Sequence, residues 1–171
     1  MKISGLFFTA FIPICAGSVA LAATPPEVFT LAASLDVAKC MYQSNSANCE
    51  GSQDFGNTIE IPLSNCTQGA DWTSCTGTWE TTQTRDTILF NASISVTKSS
   101  NKSGEVSYSL SAVVGPQLNS KPPATVQMNL THGPTMTDSL VLTGPEFMVL
   151  TSDGRTTYTP NLYIGAPLPI P

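Results

Sequence analysis

The chain has 171 residues and a formal net charge of −5 at pH 7, and only 11% of its residues are charged. A typical globular domain is about 25% charged, so Ser and Thr supply much of the polarity here, as is common in exported β proteins. The acidic balance and the lack of a basic cluster make nucleic acid and anionic membrane surfaces poor candidate partners.

Residues 1–22 predict a cleaved secretory signal peptide. Lys2 supplies the positive charge, a mostly apolar segment follows, and the small-x-small motif at 20–22 marks a cleavage position. Cleavage after Ala23 fits nearly as well, and Cys15 is lost with the leader in either case. No later window approaches 18 consecutive apolar residues, so we expect no membrane-spanning segment in the mature chain. The sequence therefore predicts a secreted or periplasmic protein and does not distinguish the two.

The remaining chain predicts one domain at residues 23–164 and a Pro-rich extended tail at 165–171. The first segment of this domain is ambiguous. Residues 24–27 (TPPE) fit a capping-box helix start, yet apolar and polar residues alternate from Phe29 to Val37, as in a strand. We favour a strand, and a short N-terminal helix is the alternative.

Four cysteines remain after the leader, in two segments with the same C-x8-C spacing: Cys40, Cys49, Cys66 and Cys75. This spacing fits neither the closely paired ligands of a zinc site nor the C-x-x-C motif of a thioredoxin-like redox site. An even number of cysteines in an exported chain predicts disulfides. We favour the two local pairs, Cys40–Cys49 and Cys66–Cys75, because each segment contains a turn-prone stretch. The crossed pairing remains an alternative.

A long antiparallel hairpin is the clearest predicted element, with residues 86–98 paired to residues 104–115. Apolar residues alternate with mostly polar ones in both segments. A turn centred on Asn101 would set Val96 opposite Val106. Each remaining apolar residue of the first segment would then also lie opposite an apolar residue of the second. A slip by one residue would place Ser and Thr opposite the apolar set.

Other period-two segments predict shorter strands and complete the fold class. Asp153-Gly154 is a strong hairpin turn signal within one of them. Together they predict an all-β chain, an antiparallel β-sandwich of roughly seven to nine strands stapled by disulfides. The segments are NTIEIPL from Asn57, ATVQMNLT from Ala124, SLVLTG from Ser139, FMVLTSDGRTTYT from Phe147 and NLYIG from Asn161.

Motifs that carry chemistry are missing from the sequence. The single histidine, His132, lies in a predicted turn with no nucleophile context, and the acidic residues are scattered singly. We therefore predict no catalytic residue, no metal and no cofactor. Four N-x-S/T triplets, common by chance in a chain so rich in Ser and Thr, carry little weight.

The leading hypothesis is a non-enzymatic, exported structural or binding module of the cell envelope or the extracellular space, with a protein or glycan partner. An alternative is an inhibitor of a secreted hydrolase, a protease or lysozyme, that acts through a disulfide-closed loop carrying Asp71 or Glu50. A third hypothesis is glycan binding with Trp72 and Trp79 as stacking platforms. Ordinary burial statistics favour the packing of both tryptophans onto the sandwich.

Overall fold

A computed structural model gives the fold of this chain. The predicted signal peptide at 1–22, the histidine at 132 and the aspartate at 153 lie outside the described residues. The structure describes residues 26–43, 46–51, 56–117, 122–130, 133–152 and 154–168.

The described residues form eleven β-strands in two antiparallel sheets and contain no helix. This confirms the predicted all-β sandwich with more strands than the sequence indicated. The strands are β1 (Glu27–Gln43), β2 (Ser46–Glu50), β3 (Asn57–Leu63), β4 (Asn65–Gln68), β5 (Trp72–Arg85), β6 (Ile88–Asn101), β7 (Val106–Pro116), β8 (Ala124–Leu130), β9 (Leu140–Thr143), β10 (Phe147–Thr151) and β11 (Gly154–Gly165).

The two sheets differ in how their strands are connected. The six-stranded sheet has the order β10-β11-β1-β2, with β3 paired to β1 and β9 paired to β11. The five-stranded sheet is a meander, β4-β5-β6-β7-β8, in which each strand pairs with the next one along the chain. The predicted strand at the N-terminus is confirmed, since β1 has hydrogen-bonded neighbours on both sides. Pairing of this extent overrides the local capping-box signal for a helix.

The core lies between the sheets and is built from the alternating inward residues of both. Phe29 and Leu31 of β1 pack with Ile94 of β6, Leu110 of β7 and Leu162 of β11, each at most 1% exposed. Full burial of a side chain of this size contributes about 1.5–3 kcal/mol. Because successive residues of a strand point to opposite faces, this core dictates which side chains face outward.

The central hairpin of β6 and β7 is confirmed, but its predicted register is wrong by four residues. Val96 lies opposite Leu110 instead of Val106, and Ile94 lies opposite Ala112. An offset of four keeps every side chain on its predicted face. The turn lies further along than predicted because the Asn101 side chain accepts hydrogen bonds from the backbone N–H of Glu105 (2.9 Å) and from the Ser103 hydroxyl (2.6 Å).

Three details of the strand assignment differ from the sequence prediction. β2 and β4 were not predicted because every residue in them is exposed and neither shows an apolar alternation. The segment from Asn161 continues β11 and forms no separate strand. The predicted hairpin of β10 and β11 is confirmed, with Thr151 opposite Gly154.

Candidate functional site

Both local disulfides are formed, as the sequence favoured. Cys40 and Cys49 are directly opposite each other in the β1–β2 hairpin, with Cα atoms 4.1 Å apart. Cys66 and Cys75 occupy the same relation in the β4–β5 hairpin, with Cα atoms 4.0 Å apart. Each bridge therefore fastens a regular β-hairpin instead of closing an irregular loop. Disulfides of this kind are typical of an oxidising compartment.

The four candidate binding residues do not form one site. Trp72 begins β5 and Trp79 lies halfway along it, where it packs against the core. Arg85, at the far end of β5, contacts Glu50, and the strand between Trp72 and Arg85 is roughly 43 Å long at 3.3 Å per residue. The prediction that both tryptophans pack inward is right for Trp79 and wrong for Trp72, which is 50% exposed.

Both candidate carboxylates have a basic partner. Asp71 forms an ion pair with Lys102, and its backbone carbonyl accepts a hydrogen bond from the Lys102 N–H at 3.0 Å. Glu50 Oε2 lies 2.7 Å from Nη2 of Arg85. These contacts join the ends of hairpins to neighbouring strands, and each candidate carboxylate therefore has a basic side chain beside it at the surface.

The outward face of the five-stranded sheet consists almost entirely of uncharged polar side chains. It is polar because alternation turns the apolar residues of β6, β7 and β8 into the core. We call its twelve central side chains the polar face. Read from β5 across to β8, they form three cross-strand rows: Thr76–Thr97–Ser109–Asn129, Thr78–Ser95–Ser111–Gln127 and Glu80–Ser93–Val113–Thr125.

Hydroxyl groups of adjacent strands meet across this face. The Thr78 and Ser95 hydroxyl oxygens lie 3.2 Å apart and share a hydrogen bond. Glu80 is the single charged member of the three rows, and Val113 is the single apolar one. The face therefore presents groups that both donate and accept hydrogen bonds, with little net charge.

Two shallow grooves run over this surface. One, of about 510 Å³, lies over the polar face between β6, β7 and β8. The other, of about 470 Å³, is lined by Glu80, Thr82, Asn91, Val113 and Pro123, among others. In this second groove, which we call the Asn91 groove, the Oδ1 atom of Asn91 is shielded from solvent and accepts no hydrogen bond from the described protein. Such an acceptor is costly to leave unpaired.

The indole ring of Trp72 lies at the other end of the same outward face. Trp72 pairs with Asn101 of β6, and it has the same strand parity as the outward residues Thr76 and Thr78. A Cβ atom built on Gly69 would lie 2.5 Å from Nε1 and 2.6 Å from Cε2 of the ring. The ring therefore rests directly on Gly69, while half of the side chain is open to solvent. Only glycine leaves room for this packing.

Two polar clusters connect the sheets and hold this surface in place. At one end, Glu27 of β1 accepts hydrogen bonds from Lys98 and Tyr108 of the five-stranded sheet. The hydrogen bond from Lys98, followed by that from Tyr108, lowers the pKa of the Glu27 carboxyl. Burial, with the hydrogen bond to Glu27, raises the pKa of Tyr108 to about 12.

The second cluster again joins a carboxylate to a tyrosine and a lysine. Here the five-stranded sheet supplies the carboxylate, and the six-stranded sheet supplies the tyrosine and the lysine. Asp86, in the turn between β5 and β6, accepts a hydrogen bond from the Tyr158 hydroxyl at 2.5 Å and lies 2.9 Å from Lys39 Nζ. The hydrogen bond from Tyr158, followed by that from Lys39, lowers the pKa of the Asp86 carboxyl. Burial, with the hydrogen bond to Asp86, raises the pKa of Tyr158 to about 12. Both clusters therefore join the two sheets through side-chain hydrogen bonds and an ion pair.

Comparisons with family models, with curated protein sequences and with solved structures give no match to this chain. Within the part of the chain that the structure describes, no three His, Cys, Asp or Glu side chains are grouped so as to hold a metal ion. Over the same ranges, the chain forms no helix with the length and apolarity of a membrane span.

The sequence prediction included Trp72 but missed the rest of this surface. The signal for it was present, because the outward positions of β6 and β7 are Ser or Thr at 93, 95, 97, 109 and 111. In the sequence, Asn91 is simply the first residue of one of the four N-x-S/T triplets. Its shielded oxygen and the ring contact at Gly69 depend on the folded structure.

Proposed function

We propose that this chain is an exported, non-enzymatic binding module whose polar face binds an uncharged, hydroxyl-rich ligand, a neutral glycan. The observation that supports this proposal is the composition of the polar face, with one charged and one apolar side chain among twelve. Sugar hydroxyls donate and accept hydrogen bonds, and Ser, Thr, Asn and Gln side chains offer both functions.

Other ligand classes fit this surface less well. A charged ligand finds almost no opposite charge on it. A stable protein partner normally requires an apolar or aromatic centre with a polar rim, and the centre of this face is polar. Secretion or export to the periplasm is part of the proposal, and it is supported by the two disulfides together with the predicted leader at 1–22.

The inhibitor hypothesis has less support. It depended on free acidic charge in a disulfide-closed loop, whereas Asp71 and Glu50 each form an ion pair. Both cysteine segments are also regular hairpins of the sheets. An acidic loop that already pairs with a basic side chain offers a basic enzyme less local attraction than an unpaired carboxylate would.

Affinity electrophoresis through gels that contain neutral polysaccharides tests the proposal. We expect at least one neutral polysaccharide, and no acidic one of similar chain length, to retard the oxidised protein. Ser111→Arg, at the centre of the polar face, should abolish the retardation, because a long charged side chain covers the hydroxyl rows. The control Asn48→Arg, on an exposed position of β2, should leave it unchanged.

Two results would contradict glycan binding by the polar face. One is retardation that Ser111→Arg and Asn48→Arg affect equally. The other is the absence of retardation with every neutral polysaccharide in a panel covering α- and β-linked polymers. New reducing ends released from a retained polysaccharide would contradict the non-enzymatic part.

A further inference from the structure

The Trp72 ring and the Asn91 groove lie at opposite ends of one continuous outward surface. Trp72 and Thr82 are both outward residues of β5, and Thr82 pairs with Asn91. Ten residues separate them, which corresponds to roughly 33 Å at 3.3 Å per residue. The rows of the polar face, and Ser74 beyond them, occupy the distance between these ends.

The ring of Trp72 has the arrangement of a stacking platform. Gly69 covers one side of the indole, and 50% of the side chain is exposed. The turn below is fixed, because the Gly69 N–H donates to the Trp72 carbonyl at 2.8 Å. An aromatic face of this kind packs against the C–H surface of a sugar ring, and little ordering is required on binding.

The Asn91 groove offers a different kind of contact. Its shielded Oδ1 has no donor among the described residues, and a sugar hydroxyl in the groove supplies one after a rotation of the amide. Glu80, the charged member of the polar face, lines the same groove and accepts further hydroxyl donors. The Trp72 end therefore complements the apolar C–H surface of a sugar, and the Asn91 groove complements its hydroxyl groups.

We infer that the polar face binds one extended chain of a linear neutral polysaccharide, which stacks a sugar on Trp72 and places another in the Asn91 groove. This inference rests on the proposed function and adds to it that the ligand is a polymer at least about 30 Å long. Two weak contacts on one chain reinforce each other, since the second forms at a high effective concentration.

A chain-length series tests the inference. The neutral polysaccharide that retards the protein in the gels is partially hydrolysed, and its fragments are separated by length. Each fragment is then titrated by calorimetry into the oxidised protein. We expect affinity to rise at least tenfold once the oligosaccharide is long enough to span both ends. Trp72→Ala and Asn91→Ala should each remove this gain, so that long and short ligands bind equally.

Gly69→Ala is the most specific variant, because it retains Trp72 and displaces only the indole ring from its packing position on residue 69. We expect it to reduce affinity for long ligands as much as Trp72→Ala does. The matched control Asn48→Ala should change nothing. Far-UV circular dichroism and thermal melting of each variant separate loss of binding from loss of fold.

The outcomes distinguish this inference from the proposed function. Short and long ligands of equal affinity, or a gain that Trp72→Ala leaves intact, would overturn the two-ended arrangement while glycan binding stands. Absence of binding at every length would overturn both.

Discussion

The two disulfides provide an internal comparison of how a cross-link stabilises this protein. Each closes a loop with a sequence separation of nine, so the chain-entropy model assigns both the same contribution, about 2.7 kcal/mol at 25 °C. We consider two double variants, Cys40→Ala with Cys49→Ala, and Cys66→Ala with Cys75→Ala. Because the loop terms are equal, a difference between the variants reports contacts in the folded state.

Those contacts differ between the two bridges. Cys75 packs against the main core cluster, whereas Cys49 is exposed. Loss of the Cys75 sulfur removes apolar packing comparable to one buried methylene, about 0.8 kcal/mol. We therefore expect unfolding free energies lower by about 2.7 kcal/mol without Cys40–Cys49 and by about 3.5 kcal/mol without Cys66–Cys75.

Equilibrium urea unfolding measures both losses through tryptophan fluorescence, because the partly buried Trp79 becomes exposed on unfolding whereas Trp72 is already half exposed. The free energies are extrapolated to zero denaturant, and the slopes show whether the unfolded state has expanded. A loss below about 1 kcal/mol in either variant would refute the loop-closure argument. A larger loss for the Cys40–Cys49 variant would refute the packing argument.

Two further changes test the packing and the polar clusters. Gly77→Ala should lower the unfolding free energy by about 1–3 kcal/mol, since its Cβ would lie 2.4 Å from the backbone carbonyl oxygen of Pro62 in the facing sheet. The control Asn48→Ala, at an exposed position of β2, should change the free energy from the same urea unfolding by no more than about 0.5 kcal/mol. Tyrosines of the unfolded chain have a pKa near 10, whereas the pKa values of Tyr108 and Tyr158 in the folded protein are raised to about 12. The contribution of these two tyrosines to the unfolding free energy is therefore complete below pH 10 and lost between pH 10 and 12. Changing both to Phe should flatten that part of the stability–pH profile, and an unchanged slope would contradict the assignment.

The faces of the strands were predictable because burial has a period of two. The residues of β6 and β7 that alternate in the sequence all point as predicted. Register was not predictable to the same degree, since offsets of two or four residues keep apolar residues opposite each other. The choice among them is made by the Asn101 side chain, which caps the turn with two hydrogen bonds.

The candidate site was predictable only in its composition. The Ser and Thr pattern showed that the outer face is polar, and the even number of cysteines after the predicted leader indicated that they pair. The location of Trp72 on that face depends on the β4–β5 register, which seats its ring on Gly69. Polar strands such as β4 give no periodic signal, so this arrangement was not accessible from the sequence.

The pairing of β1 with β11 constrains the order in which the protein can fold. The five-stranded sheet is assembled from consecutive hairpins, which close short loops and form early. The central ladder of the six-stranded sheet joins β1 to β11, the first and the last of the described strands, so it cannot close until both segments are available. Until then the apolar inner face of the five-stranded sheet lacks its cover and is prone to aggregation. A chain in which β11 has not yet been added to the sheet therefore leaves this core uncovered.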